Sequence, residues 1–266
     1  MVEHKHLAMI EHASLVFQLV LSSSSYDYID YLLSNNFFRM TIELVKNRVL
    51  ISANLRAILE RKINDPVYRA TIEKYPEFAA EVGDPEFRET KVNIVDIKSF
   101  EDLTYSEFLN HFTLSLRFIT DRGVSHEIVR HRLFSFAQES TRYCNYSKEK
   151  FGGHVTFCRP VNYPNWSENK QKKFDEVLEF VDQAYQYLTS GEDALTPQDA
   201  RSVLATCTKT EIVVSGPAFE WAHFFNLRSL GTTGKPHPDM KFVADQARIL
   251  VNQYIESLGY SETYQF

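Results

Sequence analysis

Residues 130–143 read RHRLFSFAQESTRY, and this stretch governs the interpretation of the whole chain. It begins with two arginines on either side of a histidine and ends with two hydroxyl side chains, a further arginine and a tyrosine. Neighbouring positive charges repel, and three consecutive side chains cannot share one helix face, so each needs its own partner or a common polyanion. Phosphate groups suit both ends of the stretch, because guanidinium and hydroxyl groups donate hydrogen bonds to phosphate oxygens.

The charge around this stretch differs from that of the chain as a whole. Residues 124–150 contain five Lys and Arg against three acidic residues, whereas the whole chain carries a net charge of −6. A solvated basic turn would also explain such a local excess, and composition alone favours that explanation. The pattern of residues is therefore more informative than their charge.

Helical patterns lie on both sides of the stretch. Upstream, apolar residues separated by four, four and three positions predict one amphipathic helix over residues 105–122. Downstream, the same periodicity predicts helices over residues 174–188 and 243–258, each followed by a glycine. A hydroxyl, a proline and an acidic residue within positions 196–199 predict a further helix start, with Arg201 in its second turn.

Strand signals are shorter and scattered along the chain. Residues 13–21, 92–97 and 155–161 are predicted strands, residues 37–51 are ambiguous, and the four serines at 22–25 indicate a turn or loop. Helices mixed irregularly with short strands favour an α+β fold with a small central β-sheet flanked by helices. A Rossmann fold is disfavoured, because no GxGxxG pattern follows a strand.

Length and composition predict a globular chain. The 266 residues are 44% hydrophobic and 24% charged, and we expect one domain over residues 1–266. No period of about 20 to 50 residues repeats, which excludes a solenoid. No apolar run approaches the roughly 18 residues of a membrane span, and the polar first dozen residues do not resemble a signal peptide. We therefore expect a cytoplasmic protein that makes no membrane contact.

Three cysteines are present, at positions 144, 158 and 207. Their number is too small for a disulfide framework and their spacing does not match a zinc site, so we expect free thiols. His126 and Glu127 begin an HExxH-like pattern, but His131 follows His126 by five residues and would lie on another face of a helix. We expect no metal site.

The stretch resembles the signature of flavin-dependent thymidylate synthases, which is written RHRxxSxxxxSxRY. The matching residues are Arg130, His131, Arg132, Ser135, Ser140, Arg142 and Tyr143. His111-Phe112, Ala200-Arg201 and the HFFNLR segment at 223–228 resemble further segments of this family, so the likeness covers roughly residues 100 to 255. Asn54-Leu55-Arg56 adds a weaker match near the N-terminus.

The resemblance implies an activity and an assembly. Members of this family methylate dUMP to dTMP with methylenetetrahydrofolate as the one-carbon donor, and NADPH supplies the reducing equivalents through bound FAD. They are homotetramers whose active sites lie between subunits. A cytoplasmic enzyme with these small-molecule substrates, with self-association and without a nucleic-acid partner, is therefore expected.

The resemblance also implies which residues form the site. The expected FAD-binding residues are Arg130, His131, Arg132, Gln138 and His223. The expected dUMP-binding residues are Glu127, Arg130, Gln138, Glu139, Ser140, Thr141, Arg142, Arg201 and Arg228. Arg228 is the expected catalytic residue, because a guanidinium beside the uracil ring would stabilise negative charge there and make C5 more nucleophilic.

The chain departs from the family at several of these places. The departing residues are Glu127, where glutamine is frequent; Ala137, where asparagine is frequent; Gln138, where glutamate is frequent; and Pro217 and Phe219, where polar flavin-contacting residues are frequent. These changes alter the charge of the dUMP loop and remove some of the expected flavin contacts.

Two alternatives remain open from the sequence. The first is an FAD- or nucleotide-binding protein that has lost synthase activity through these departures. The second is a single-stranded nucleic-acid-binding module with its cations at Arg130, Arg132 and Arg142 and its stacking rings at Phe134, Phe136 and Tyr143. The negative charge of the chain counts against this second alternative. Taken singly, His111 could be a core histidine and Arg228 a helix-terminal cation.

Overall fold

The computed structural model describes residues 7–61, 65–78, 94–98 and 103–260. The strands are β1 Ser14–Val20, β2 Phe38–Glu43, β3 Arg48–Asn54, β4 Ile94–Lys98, β5 Thr113–Asp121, β6 Ser135–Gln138 and β7 Lys209–Pro217. The helices are α1 Ser23–Leu33, α2 Leu55–Leu59, α3 Pro66–Lys74, α4 Tyr105–His111, α5 Arg122–Ile128, α6 Glu168–Leu188, α7 Pro197–Ala200, α8 Ala218–Arg228 and α9 Pro238–Ser257. A 3₁₀ turn at Leu7–His12 precedes β1.

The strands form two antiparallel sheets, one of order β2-β3-β1-β4 and one of order β5-β7-β6. This arrangement confirms the α+β class, and it divides the strands between two small sheets. The extension of one domain over residues 1–266 stays a prediction. No helix in the described ranges is both long enough and apolar enough to span a membrane.

The first sheet packs one face against α1 and α2. Phe17, Leu19 and Ile51 from alternate strand positions are buried there. The predicted strand at 13–21 is confirmed as β1, and the ambiguous residues 37–51 contain β2, a turn and most of β3. In the turn, Asn47 has a φ of 48°, a left-handed conformation that asparagine tolerates better than most residues.

The prediction of a loop over the four serines was wrong, because they begin α1. The backbone N–H of Ser22 donates to Ser25 Oγ at 3.1 Å, and Ser25 Oγ donates to the carbonyl of Val20 at 2.9 Å. Serine side chains satisfy backbone groups that would otherwise be unpaired at a helix start. A serine run is therefore as suitable for a helix start as for a loop.

The second sheet forms the larger core with α8 and α9. Phe118, Val214 and Trp221 are buried at its centre. The prediction of one helix over residues 105–122 was wrong beyond His111, because Phe112 is extended and β5 follows. Residues four positions apart lie on one face in both a helix and a strand, so the spacing did not distinguish the two. Pairing with β7 along its whole length decides for the strand.

The predicted strand at 155–161 was also wrong, since Phe157 makes only an isolated bridge with Thr208. Pro160 lacks the N–H that a longer ladder would require. The predicted helices at 174–188 and 243–258 are confirmed within α6 and α9.

The predicted helix start at 196–199 is confirmed as α7, but the helix ends after one turn. Thr196 Oγ1 donates to Asp199 Oδ2 at 2.6 Å at this start. Arg201 opens a separate 3₁₀ turn, Arg201–Val203, instead of standing in a second helical turn. The arginine is still held close to the helix, on an exposed surface.

The two sheets are joined by polar contacts as well as by apolar packing. His111, at the end of α4, bonds Ser52 of the first sheet through Nδ1 at 2.9 Å. His12, at the end of the first 3₁₀ turn, bonds Ser215 of the second sheet through Nδ1 at 2.7 Å. His111 also bonds Thr41 through Nε2 at 2.8 Å and is fully buried, so it is a satisfied core histidine.

Candidate active site

The guanidinium of Arg228 lies at the end of α8 and contacts residues at and just beyond the end of α5. Nε donates to His131 Nε2 at 3.2 Å, and Nη1 donates to Glu127 Oε2 at 2.9 Å. Nη2 lies 3.4 Å from the backbone carbonyl of Glu127. Because Glu127 is near the end of α5 and His131 lies just beyond it, the two helix ends hold the guanidinium in one orientation.

The histidine in this group is neutral. Burial lowers the pKa of His131 to about 4, and the positive charge of Arg228 acts in the same direction. Since Nε2 accepts the hydrogen bond from Arg228, the ring proton is on Nδ1, which lies 4.0 Å from Glu220 Oε1. Glu220 is itself buried, and desolvation raises the pKa of its carboxyl group. The site thus contains one cation held by a neutral imidazole and a carboxylate.

His131, Glu220 and His223 place their potential ligand atoms within 4.8 Å of one another. The imidazole rings of the two histidines are 6.0 Å apart between centroids. We assign no metal to this group, because the Arg228 guanidinium lies on the Nε2 side of His131 and would repel a cation. His223, which is exposed, is the member most accessible to a ligand.

Gln138 and Glu139, the first residues of the predicted dUMP loop, make hydrogen bonds with other side chains of the same chain. The Gln138 amide donates to Ser125 Oγ at 2.8 Å and lies 3.2 Å from Thr210 Oγ1. Glu139 accepts hydrogen bonds from Tyr146 at 2.8 Å and from Lys209 at 3.3 Å. The structure therefore does not bring these two side chains to the Arg228 group.

The later part of the loop lies beside a cavity of about 530 Å³, here termed the Arg201 cavity. Residues that line it include Arg122, His126, Thr141, Gln198 and Arg201. Arg142 approaches the same region, where its Nε donates to Gln198 Oε1 at 3.1 Å. Ser140 Oγ accepts a hydrogen bond from the backbone N–H of Arg142 at 3.3 Å. The cavity thus brings together predicted residues from the loop and from the start of the 3₁₀ turn.

The sequence did not single out Arg122 as a site residue. Its Nη1 atom is buried in this region and has no hydrogen-bond partner among the described residues. A buried guanidinium donor without an acceptor is costly, so an anion in the cavity would stabilise it. The sequence analysis placed Arg122 at the end of a predicted helix over residues 105–122, so it gave no reason to expect this residue at a binding site.

A second cavity, of about 400 Å³ and here termed the Arg132 cavity, lies on another side of the motif. Arg132 and Ser135 of the motif line it together with Arg39 of β2 and Phe37, which immediately precedes β2. Gly216 lines its wall, and a Cβ at that position would lie 2.1 Å from the Phe134 ring. Glycine therefore permits the close packing of Phe134 against β7.

The donors in these places fit ligands that carry phosphate groups. Arg130 and Arg132 are exposed, and Arg201 lines its cavity as a further exposed cation. Within the described ranges, the Arg122 and Arg39 guanidinium groups each keep one buried nitrogen without a hydrogen-bond acceptor. Both FAD and a nucleoside monophosphate would supply such acceptors. Predicted site residues therefore occur in three places, the Arg228 group, the Arg201 cavity and the Arg132 cavity, whereas Gln138 and Glu139 make contacts elsewhere within the chain.

Comparisons with known proteins agree with the motif. The chain is 33% identical over 155 residues to a flavin-dependent thymidylate synthase of Geobacter sulfurreducens, covering 56% of this chain and 63% of that protein. It is 25% identical over 190 residues to a probable flavin-dependent thymidylate synthase of Paramecium bursaria Chlorella virus 1, covering 64% of this chain and 82% of that protein. The chain thus spans less than two thirds of the Geobacter protein.

A solved structure, the flavin-dependent thymidylate synthase ThyX of Helicobacter pylori in complex with FAD and dUMP, aligns with a TM-score of 0.41 at 20% identity. The alignment covers 55% of this chain and 70% of that one. A family model described as thymidylate synthase complementing protein matches residues 70–254. The resemblance predicted from the sequence is confirmed, and the chain belongs to the thymidylate synthase complementing protein family.

Proposed function

We propose that the protein converts dUMP to dTMP, with methylenetetrahydrofolate as the one-carbon donor and NADPH as the reductant of a bound FAD. The observation that carries this proposal is the Arg228 guanidinium, fixed by His131 and Glu127 within the residues that match the family. The fixed cation gives the site a group of the kind that this reaction requires.

Arg228 is the proposed catalytic residue. A guanidinium placed beforehand beside the uracil carbonyl and N3 would stabilise negative charge on the ring, so that C5 attacks the one-carbon unit more readily. His131 contributes by remaining neutral, because a protonated imidazole would repel the guanidinium that it orients. Glu127 holds the other edge of the guanidinium, and its carboxylate partly offsets the positive charge.

The Arg201 cavity is the proposed place for the phosphate of dUMP. Thr141 and Arg201 line it, Arg142 lies beside Gln198 at its margin, and Arg122 adds a donor that lacks an acceptor among the described residues. Several guanidinium groups around one anion give strong, charge-assisted hydrogen bonds. The proposed roles of Arg130 and Ser140 in dUMP binding rest on the resemblance.

The proposed FAD-binding residues are Arg130, His131, Arg132 and His223. The exposed arginines would contact the phosphates, and His223 would contact the flavin at the edge of the Arg228 group. FAD, when bound, supplies the two electrons of the reductive methylation. Because Gln138 and Glu139 are occupied by contacts within the chain, their roles require a rearrangement of the loop or contacts made from another subunit.

We further propose that the protein acts as a homotetramer in the cytoplasm, with active sites completed between subunits. This assembly rests on the family resemblance, and it would allow Gln138 and Glu139 to contact a ligand held by another subunit.

The proposal is tested by measuring dTMP formation with mass spectrometry, using dUMP, methylenetetrahydrofolate, NADPH and FAD. Formation that is lost when any one component is omitted is the expected result. FAD binding is measured in parallel by fluorescence quenching. A protein that binds FAD but makes no dTMP would be the non-synthase alternative, and salt-dependent binding of an oligonucleotide without FAD binding would indicate the nucleic-acid alternative.

A further inference from the structure

Two parts of the chain have the same strand order and the same register. The N-terminal unit comprises β1, α1, β2, β3 and α2, and the motif unit comprises β5, α5, β6, β7 and α8. In both units the first strand lies beside the last strand, which also pairs with the middle strand. Ser14 pairs with Asn54 and Thr113 pairs with Pro217, and in each case the last strand leads directly into a helix. The two units therefore share one topology.

Corresponding residues can be assigned from the pairing. Val16 lies opposite Ser52 in the N-terminal unit, and Ser115 lies opposite Ser215 in the motif unit. Counting back from the two first strands, His12 corresponds to His111. Sequence identity between the units is otherwise sparse, so no repeat is evident from the sequence alone.

These corresponding residues make reciprocal contacts. His12, which precedes the N-terminal unit, bonds Ser215 of the motif unit, and His111, which precedes the motif unit, bonds Ser52 of the N-terminal unit. The histidine that precedes each unit therefore bonds the corresponding serine in the last strand of the other unit. Such reciprocity is the mark of an isologous, two-fold interface, which is normally formed between two subunits.

The two reciprocal contacts differ because one of a pair of corresponding positions lacks a hydroxyl group. His111 bonds Thr41 through its second ring nitrogen, and the residue that corresponds to Thr41 by strand register is Ala137. Alanine offers no hydroxyl group. His12 Nε2 is accordingly buried without a hydrogen-bond partner in the part of the chain that the structure describes.

The Arg132 cavity lies where the two units meet. The N-terminal unit contributes Arg39 and Asn36, and the motif unit contributes Arg132 and Ser135. Arg39 and Ser135 occupy corresponding register positions, opposite Ser52 and Ser215 respectively. The cavity is thus an interface site contained within one chain.

The chemistry of the cavity indicates its ligand. Arg39 Nε donates to the backbone carbonyl of Asn110 at 2.9 Å, whereas its Nη2 is buried without an acceptor among the described residues. Phe37, Phe134 and Phe219 line the same cavity. An anion would satisfy the guanidinium groups, and a planar ring would pack against the phenylalanine side chains.

We infer that the N-terminal unit takes the place of a second subunit beside the motif unit, and that the cavity between them binds an anionic group attached to a heteroaromatic ring, with Arg39 and Arg132 as its cations. The inference rests on the proposed function, because FAD phosphates and the carboxylates of a folate tail both have this chemistry. Arg39 lies outside the residues that match the family model, so the family match does not assign it a role.

The experiment compares Arg39→Gln with the wild-type protein. FAD affinity is measured by fluorescence quenching, and methylenetetrahydrofolate and dUMP affinities by calorimetry. We expect one of the first two affinities to fall by about tenfold to a hundredfold, the usual effect of losing a charge-assisted hydrogen bond, while dUMP affinity stays within about twofold. A fall for FAD assigns the cavity to phosphate groups, and a fall for the folate assigns it to carboxylates.

The matched control is Arg159→Gln, which removes an exposed arginine paired with Asp175 and should change no affinity. If Arg39→Gln does not fold, Arg39→Lys supplies the test, because it keeps the positive charge but removes the second guanidinium nitrogen that would bind the anion. Unchanged FAD and folate affinities in the folded variant would overturn the inference. A wild-type protein that binds neither FAD nor dUMP would instead reject the proposed function.

Discussion

The N-terminal unit and the motif unit share strand order and register but differ in the charges they carry. Between α5 and β6 the motif unit has Arg130, His131 and Arg132, whereas residues 34–37 between α1 and β2 contain no basic residue. The helix after the last strand also differs: α8 continues to Arg228, and α2 ends at Leu59. The shared strand register therefore accounts for the common fold of the two units. The side chains proposed for catalysis lie at helix ends and connections, and only the motif unit carries them.

The largest expected effect comes from removing the cation that only the motif unit possesses. Arg228→Ala should reduce the rate of dTMP formation by about a hundredfold to a thousandfold, because a charge-stabilising group is lost. FAD binding and folding should persist. Steady-state turnover and FAD titration check this result.

The matched change in the N-terminal unit is Arg56→Ala on α2. Arg56 pairs with Glu11 and Glu60 at a partly exposed position, and such surface pairs contribute little to stability. Turnover should be unchanged. Equal losses of turnover in the two variants would remove the functional distinction between the units.

The second prediction concerns the acid side of the stability curve and compares His111 with His12. Burial lowers the pKa of His111 to about 4, below the usual value near 6.5, so the unfolded chain binds a proton that the native protein does not. The free energy of unfolding should therefore fall as the pH falls from about 6.5 to about 4, with His111 contributing about 3 kcal/mol.

Replacing His111 with Gln should make this fall shallower, and chemical denaturation at several pH values measures it. His12 is half-buried, and its pKa is lowered by the same cause. His12→Gln should therefore change the slope less. A larger change of slope in His12→Gln than in His111→Gln would contradict the assigned burial.

The third prediction breaks the reciprocal hydrogen bonds one at a time. Ser52→Ala leaves a fully buried His111 nitrogen without its partner and should lower the free energy of unfolding by about 1 to 3 kcal/mol. Ser215 Oγ also bonds Ser115 Oγ at 2.5 Å, so Ser215→Ala is compared in a Ser115→Ala background. There it should cost less, because His12 is only half-buried and its ring already has an unpaired nitrogen among the described residues. Urea denaturation at neutral pH gives both values, and the opposite order would contradict the account of the interface.

The smallest effect is expected from restoring the missing hydroxyl group. Ala137→Thr places on β6 the residue type that Thr41 provides on β2, so His12 Nε2 would gain a partner. The midpoint of urea denaturation should rise by the equivalent of about 1 kcal/mol. Ala137→Val has the same shape without the hydroxyl group and serves as the control. Equal midpoints for the two variants would show that His12 gains nothing from the introduced hydroxyl group.

The sequence correctly predicted those helices and strands whose pattern of apolar residues fits only one type of secondary structure. Helices α6 and α9 were predicted because a long apolar stripe ends at a glycine, and β1 was predicted because apolar and β-branched residues are concentrated there. Residues 113–121 were assigned to a helix because apolar residues four positions apart suit both structures. The β7 partner that decides the matter lies about a hundred residues away in the sequence.

The site was predicted in a similarly uneven way. Arg228, His131 and Glu127 were named through the family resemblance, and the structure brings them together. Arg39 and Arg122 carry no local signal, because their significance depends on cavities that form only when distant segments pack. The correspondence of the two units was also invisible, since it resides in strand register and not in residue identity.

The most direct test of the central claim is the visible absorbance spectrum of the purified protein with FAD under anaerobic conditions, recorded before and after addition of NADPH and dUMP. The account predicts a yellow, protein-bound flavin that NADPH bleaches, and faster bleaching when dUMP occupies the site. A protein that remains colourless after incubation with FAD, or a bound flavin that NADPH does not bleach, would contradict it.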